Sequence, residues 1–289
     1  MSQETALFDA PGPRARRRHA ILTGLGLLLA AFGLYLVYVK LDEKNQFDSA
    51  LWEPFLTAEA WTQYLIPGLI GTFKAAAISI VLAAIFGLVF GMGRLSHVAA
   101  IRWVSGAVVE FFRSVPVLIM MIFAFGVYAQ NQVFSSEVNP LAAVVTGLTL
   151  YNGAVVAELV RSGVFSLPKG QAEAGLSIGL TRGQTLRNIE LPQALTAMLP
   201  ALVGQLVVVV KDSALGSIIT YGELLDWSKT LGSAYANTVP AYIVAAALFI
   251  VINYLLTALA RYVERRLSSR GRTTLHATTA APTPDQAQS

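Results

Sequence analysis

Charged side chains lie inside, or at the ends of, long apolar stretches of this sequence, and they occur in pairs. The pairs are Glu110 with Arg113, Glu158 with Arg161, and Lys211 with Asp212. A charged side chain in hydrocarbon costs roughly 2.5–3.5 kcal/mol on insertion scales, so such residues normally face a cavity or a partner. The chain has no cysteine, and its three histidines show no metal-ligand spacing. We therefore expect ionic binding at these positions, with no catalytic or metal site.

Lys211 and Asp212 are the first candidates for a substrate path, because together they could meet the carboxylate and the ammonium group of an amino acid. The alternative is that Lys211 extends toward the membrane surface and Asp212 caps a helix break. Gln205, Asn152 and Tyr151 are further polar residues at the depth of the membrane. Each could bind substrate, although a hydrogen bond between helices is the more common role of such residues.

The other two pairs lie near the ends of their apolar stretches. Glu110 with Arg113, and Glu158 with Arg161, are spaced three residues apart, so each pair can form a salt bridge on one helix face. A salt bridge at the inner membrane face is the default interpretation of both pairs. A role as a gate of the substrate path is the alternative.

Transmembrane helices must position all of these residues. Of 289 residues 55% are hydrophobic and only 13% are charged, whereas a soluble domain carries about a quarter of its residues as charges. About 20 apolar residues cross a bilayer, and the sequence predicts six spans. They cover residues 20–39, 65–92, 103–128, 140–157, 197–220 and 241–259, with a kink at Pro116 in the third.

Arginine-rich flanks predict the orientation. They place the basic segment 1–19 and the tail 267–289, which we expect to be disordered, in the cytoplasm, and the acidic segment 40–63 outside. A cleaved signal peptide is the competing interpretation of residues 20–39, but no A-x-A-like site follows them. Because the basic residues cluster at span ends, the formal charge of +4 does not indicate a nucleic-acid partner.

The charged stretch 166–195 lies between the fourth and fifth spans and must therefore be outside the lipid. Pro168 favours a helix start, with Glu173 near the positive helix end. Gly179 can adopt the left-handed conformation that ends a helix. Thr181 and Gln184 have capping-box spacing for a second helix, which Pro192 is expected to stop. The segment is predicted to be a helix–turn–helix that fits a partner's groove.

The same stretch resembles the EAA loop of ABC-importer permeases, which reads E-A-A, three residues, G, nine residues, I-x-L-P. The matching residues are Glu173, Ala174, Gly175, Gly179, Ile189, Leu191 and Pro192. Gly175 stands where the pattern has a second alanine, which should loosen the first helix by roughly 1 kcal/mol. The segments 71–72, 110–116, 157–161, 170–174 and 211–215 also resemble the polar amino-acid branch of these permeases, in the same order.

The resemblance implies a type I importer permease in a bacterial cytoplasmic membrane: an all-α protein whose five-helix core, residues 64–266, follows one additional N-terminal helix. It further implies a second permease, identical or paralogous, an ATPase subunit dimer that docks on the EAA loop, and an extracytoplasmic solute-binding protein. No G-x-x-x-x-G-K-[ST] phosphate loop occurs in the chain, so we expect ATP and Mg²⁺ to bind the partner and no cofactor to bind here. The alternatives are a secondary transporter, which would show inverted repeats, and a membrane enzyme.

Overall fold

The computed structural model describes residues 12–271, and side chains as far as residue 262. All regular elements in this range are helical. The α-helices are α1 Pro13–Glu43, α2 Ser49–Trp52, α3 Ala58–Ala60, α4 Ile66–Arg94, α5 Ala99–Ser114, α6 Val117–Gln130, α7 Asn139–Phe165, α8 Lys169–Ser177, α9 Arg182–Thr185, α10 Leu191–Asp212, α11 Leu224–Ala234 and α12 Thr238–Gly271. Two 3₁₀ segments, Glu53–Leu56 and Ser213–Ile219, and two π-helical turns, Trp61–Leu65 and Leu186–Glu190, connect them. The predicted tail 267–289 lies mostly outside the described residues.

The first of two compact units ends at Leu56 and consists mainly of α1. This helix has 31 residues, begins with Pro13 and has no buried residue. At 1.5 Å per residue it is about 46 Å long, so it exceeds the roughly 30 Å of a bilayer's hydrocarbon core. The predicted first span, residues 20–39, lies inside it.

The second unit begins at Thr57 and is organised around the contact between α4 and α7. Small residues recur every fourth position along α4, so they form one stripe that lets another helix approach closely. The buried members of this stripe are Ala75, Ser79, Ala83, Gly87 and Gly91. Met121 of α6, Leu148 of α7 and Val209 of α10 complete the core beside it.

The predicted third span is broken into two helices. Val115 is extended, with ψ 128°, and Pro116 caps α6, so α5 and α6 meet at an angle of 99°. Proline lacks an N–H and excludes the helical conformation of the preceding residue, so a break replaces the expected kink. Five described helices are long and apolar enough to cross a membrane, or six if α5 and α6 count as one span.

The expectation that Pro192 stops a helix is wrong. Pro192 lies in the first turn of α10, which continues directly from the π-helical turn Leu186–Glu190. The Leu191 N–H donates to the Leu186 carbonyl, five residues back. The wider π-turn therefore accommodates the proline, whose missing N–H falls at the junction. From Arg182 to Ile219 the chain forms one unbroken helical segment.

Candidate functional site

The helix–turn–helix of residues 166–195, hereafter the EAA-like loop, is built largely by short-range hydrogen bonds. Gly179 has φ +87°, the left-handed conformation predicted for it. The Thr181 side chain accepts a bond from the Gln184 N–H, and the Gln184 side chain accepts one from the Thr181 N–H at 2.8 Å. This confirms the predicted capping box. At the far end, Gln193 Nε2 donates to Gln171 Oε1 at 3.0 Å and joins α8 to α10.

Gly175 is buried at the closest approach of α8 and α9. A Cβ atom at this position would lie 2.6 Å from Thr185 Cγ2 and 2.8 Å from Thr185 Oγ1. Glycine in place of the second alanine of the EAA pattern therefore fits the close contact with Thr185. Glu173 is in the second turn of α8, which has no acidic residue in its first turn. The expected interaction of Glu173 with the helix N-terminus was wrong, and its exposed side chain is free to meet another protein.

The EAA-like loop exposes one face and anchors the other. Glu173, Ala174, Gly179 and Pro192 are exposed, whereas Ile189 and Leu191 are half-buried. The anchor is a cluster of buried side chains from α7, the π-turn and α10, namely Val160, Val164, Leu186, Ala194 and Met198. The loop is thus packed onto the two helices that it connects.

The two predicted salt-bridge pairs belong to one ionic network joined by Arg94, a residue that the sequence did not single out. Arg94 lies 2.8 Å from Glu158 and 3.1 Å from Glu110. Arg161 lies 2.6 Å from Glu158, and Arg113 is 3.5 Å from Glu110 and 3.8 Å from Glu158. Three guanidinium groups therefore share two carboxylates. The Arg94 and Glu158 side chains are only 14% and 22% exposed, so solvent screens this pair least.

A cavity of about 380 Å³ opens beside this network. Glu110, Arg113, Glu158 and Tyr151 line it, so the structure brings one predicted substrate-path residue together with the predicted gate residues. The charged groups that line the cavity are the carboxylates of Glu110 and Glu158 and the guanidinium of Arg113.

The remaining predicted path residues lie elsewhere. Gln205 Nε2 donates to Asn152 Oδ1 at 2.6 Å, and Asn152 Nδ2 donates to the Leu148 carbonyl, so these two side chains join α10 to α7. Lys211 is exposed and Asp212 is half-buried at the end of α10. A 3₁₀ segment follows Asp212, as the helix-break alternative anticipates, but the Asp212 side chain makes no capping bond to it.

Five or six described helices long and apolar enough to cross a membrane, with a capped helix–turn–helix between two of them, are the features of a multi-pass membrane protein. The chain belongs to the binding-protein-dependent transport system inner membrane component family, whose model matches residues 79–269. It is 46% identical over 227 residues to the glutamate transport system permease protein GluD of Corynebacterium glutamicum, covering 78% of this chain and 83% of that protein. It is 34% identical to the probable glutamine ABC transporter permease protein GlnP of Bacillus subtilis, covering 70% and 93%.

Solved structures share the fold. A crystal structure of an amino acid ABC transporter with histidines is 28% identical, with a TM-score of 0.67 over 73% of this chain and 98% of that one. An inward-facing MetNI methionine ABC transporter is 21% identical, with a TM-score of 0.59 over 73% and 97%. At 21% identity, the similarity to the methionine transporter concerns the fold alone.

Proposed function

We propose that this chain is the permease subunit of an ABC importer that moves polar amino acids, with glutamate-like substrates favoured, from a binding protein outside to the cytoplasm. The observation that carries the proposal is the EAA-like loop, exposed on one face and packed onto α7 and α10 on the other. The chain's similarity to a glutamate permease and a probable glutamine permease supports an amino-acid substrate. The 46% identity to a glutamate permease favours an acidic one.

The proposed assembly contains two permeases, identical or paralogous, in a bacterial cytoplasmic membrane. Each has six spans when α5 and α6 count as one, and both termini are in the cytoplasm. A dimer of ATPase subunits, which holds ATP and Mg²⁺, binds the EAA-like loops, and an extracytoplasmic binding protein delivers substrate. This chain binds no cofactor of its own.

Transport then follows alternating access. When the ATPase subunits close, each EAA-like loop moves with the subunit that holds it. Leu186 packs with Val160 and Ala194, so α7 and α10 move together with the loop. The ionic network of Arg94, Glu110, Arg113, Glu158 and Arg161 acts as the inner gate, because it joins the ends of α4, α5 and α7. Tyr151 of α7 lies along the substrate path. Lys211 and Asp212, at the end of α10, lie along it as well.

The first test is coupling between transport and ATP hydrolysis. In proteoliposomes containing the full complex, Glu173→Lys should reduce binding-protein-dependent glutamate uptake by at least tenfold while ATP hydrolysis continues. Gly179→Ala should act in the same direction, because an L-residue in the left-handed conformation costs about 1–2 kcal/mol. Arg261→Glu is the control, since Arg261 is also an exposed charged residue on the cytoplasmic side of the proposed topology but lies on α12, outside the loop. Normal uptake by Glu173→Lys would refute the coupling role.

The second test separates an importer subunit from a secondary transporter. The purified chain reconstituted alone should not take up labelled amino acid, and uptake should require an ATPase, ATP and a binding protein. Uptake driven by an ion gradient without these components would establish the secondary transporter instead. A cysteine introduced at Ala174, which is exposed on α8, should crosslink to the ATPase subunit.

A further inference from the structure

A second, larger cavity lies on the other side of the ionic network and has no role in the proposed transport cycle. Its volume is about 860 Å³, and the start of α5 and the end of α7 line it. Ala99, Gly106 and Ala107 form a floor of small residues, and a Cβ atom at Gly106 would meet nothing within 4 Å. Trp103 and Phe165 flank this floor and are 75% and 69% exposed. The cavity, hereafter the α5 groove, thus combines small residues and two exposed aromatic side chains in its lining.

Three guanidinium groups and one carboxylate, that of Glu110, line the α5 groove. Arg94 and Arg161 line it, but both are already engaged by Glu158. Arg102 also lines it, and its described hydrogen bond goes to the Ser96 carbonyl, at 3.0 Å. No carboxylate pairs with Arg102 in the part of the chain that the structure describes.

The local charge is therefore unbalanced. Adding Arg102 to the network of three arginines and two glutamates leaves an excess of two positive charges around a groove with apolar walls. Charge excess alone would suit any anion, including a free phosphate. Small residues and exposed aromatic side chains beside it suit a hydrocarbon chain, and tryptophan is enriched where acyl chains meet headgroups. The combination requires a ligand that is both anionic and apolar.

We propose that the α5 groove binds an anionic phospholipid, such as phosphatidylglycerol, from the leaflet on the side of the EAA-like loop. The phosphate lies at Arg102, with Arg94 and Arg161 adding to the positive field, and one acyl chain lies over Gly106 beside Trp103. Basic pockets between transmembrane helices are established sites for anionic headgroups. This inference goes beyond the proposed function, because it does not depend on which solute the protein carries.

Trp103 is a reporter inside the groove. A variant of the full chain in which the other three tryptophans, Trp52, Trp61 and Trp227, are phenylalanine leaves Trp103 as the only indole. In vesicles of phosphatidylcholine, brominated phosphatidylglycerol should quench its fluorescence with several-fold higher apparent affinity than brominated phosphatidylcholine. Arg102→Gln should reduce this preference about fivefold, because one arginine near an anionic lipid contributes about that factor. Arg261→Gln, which changes an exposed arginine of α12 that does not line the groove, is the matched control and should leave the preference unchanged.

The outcomes separate the possible occupants. A phosphatidylglycerol preference that Arg102→Gln reduces and Arg261→Gln preserves supports the proposal. Equal quenching by both brominated lipids, or a preference that survives Arg102→Gln, overturns it. Loss of the preference on adding millimolar inorganic phosphate would indicate a site for a free anion and would also overturn it. So would an indole that neither brominated lipid quenches, because a protein would then cover the groove.

Discussion

Gly175 and Thr185 provide the sharpest test of how the EAA-like loop is built. An alanine in place of glycine normally stabilises a helix, here by about 0.5–1 kcal/mol because Gly175 is close to the end of α8. The structure predicts the opposite sign. The new methyl group would lie 2.6 Å from Thr185 Cγ2, and overpacking of this kind costs about 1–3 kcal/mol. The net effect of Gly175→Ala is a loss of about 1 kcal/mol in the local stability of the loop.

Thr185→Ala removes the obstruction and is a suitable background. Thr185 is 2% exposed, and its hydroxyl makes no hydrogen bond within the described residues, so this change sacrifices no such bond. In the Thr185→Ala background, Gly175→Ala should stabilise the loop by about 0.5–1 kcal/mol. The double-mutant cycle should therefore give a coupling energy equal to the strain, about 1–3 kcal/mol.

Hydrogen exchange measures this local stability directly, because amides of a locally opening segment exchange according to its opening free energy. In the detergent-solubilised chain, Gly175→Ala alone should speed exchange across residues 169–190 about fivefold. The same change on Thr185→Ala should slow exchange by a factor of about two to five. Exchange in α4 should not change and serves as the internal control. Slower exchange in the single variant Gly175→Ala would refute the packing argument.

Three further predictions concern the transmembrane unit. Asn152→Ala should lower the unfolding free energy by about 0.6–1.7 kcal/mol, the range for hydrogen bonds between membrane helices. In the Asn152→Ala background, Gln205→Ala should lower the unfolding free energy much less than it does in the unchanged chain, because its hydrogen-bond partner is already absent. Glu158→Gln should cost about 1–2 kcal/mol in thermal unfolding, because it leaves three arginines with one carboxylate; an unchanged melting temperature would contradict the network. Burial raises the pKa of Glu223 to about 7, against two backbone hydrogen bonds that lower it. Since the folded state then binds this proton more tightly than the unfolded chain, the contribution of Glu223 to stability should be fully present below pH 4.5 and fall by up to about 3 kcal/mol as the pH rises to 7; Glu223→Gln should remove this part of the pH dependence.

The features of the EAA-like loop that the sequence predicts correctly are those set by near neighbours. The capping box joins residues three apart, and the left-handed conformation of Gly179 is a property of one residue. The helical spans other than the broken third one also follow from runs of apolar residues, because length and hydropathy alone decide them. Such features need no knowledge of which helices meet.

The features that the sequence could not predict depend on contacts between distant segments. Arg94 and Glu158 are 64 positions apart. In the sequence, the position of Arg94 was already explained by the preference for positive charges at the cytoplasmic ends of spans, so nothing indicated a further partner. The fit between Gly175 and Thr185 likewise depends on how α8 packs on α9. Pro192 was misinterpreted because a π-turn, which has no reliable sequence signal, lets the helix continue through it.

The continuous helical segment from Arg182 to Ile219 joins the second helix of the EAA-like loop to the fifth span. Its 38 residues extend about 57 Å at 1.5 Å per residue. A tilt of only about 5° around one end therefore displaces the other end by about 5 Å, roughly one helical turn. Small angular changes at the loop would be geometrically amplified before they reach Asp212. Pro200, inside α10, lacks a backbone N–H and is the weakest point at which that amplification can be lost.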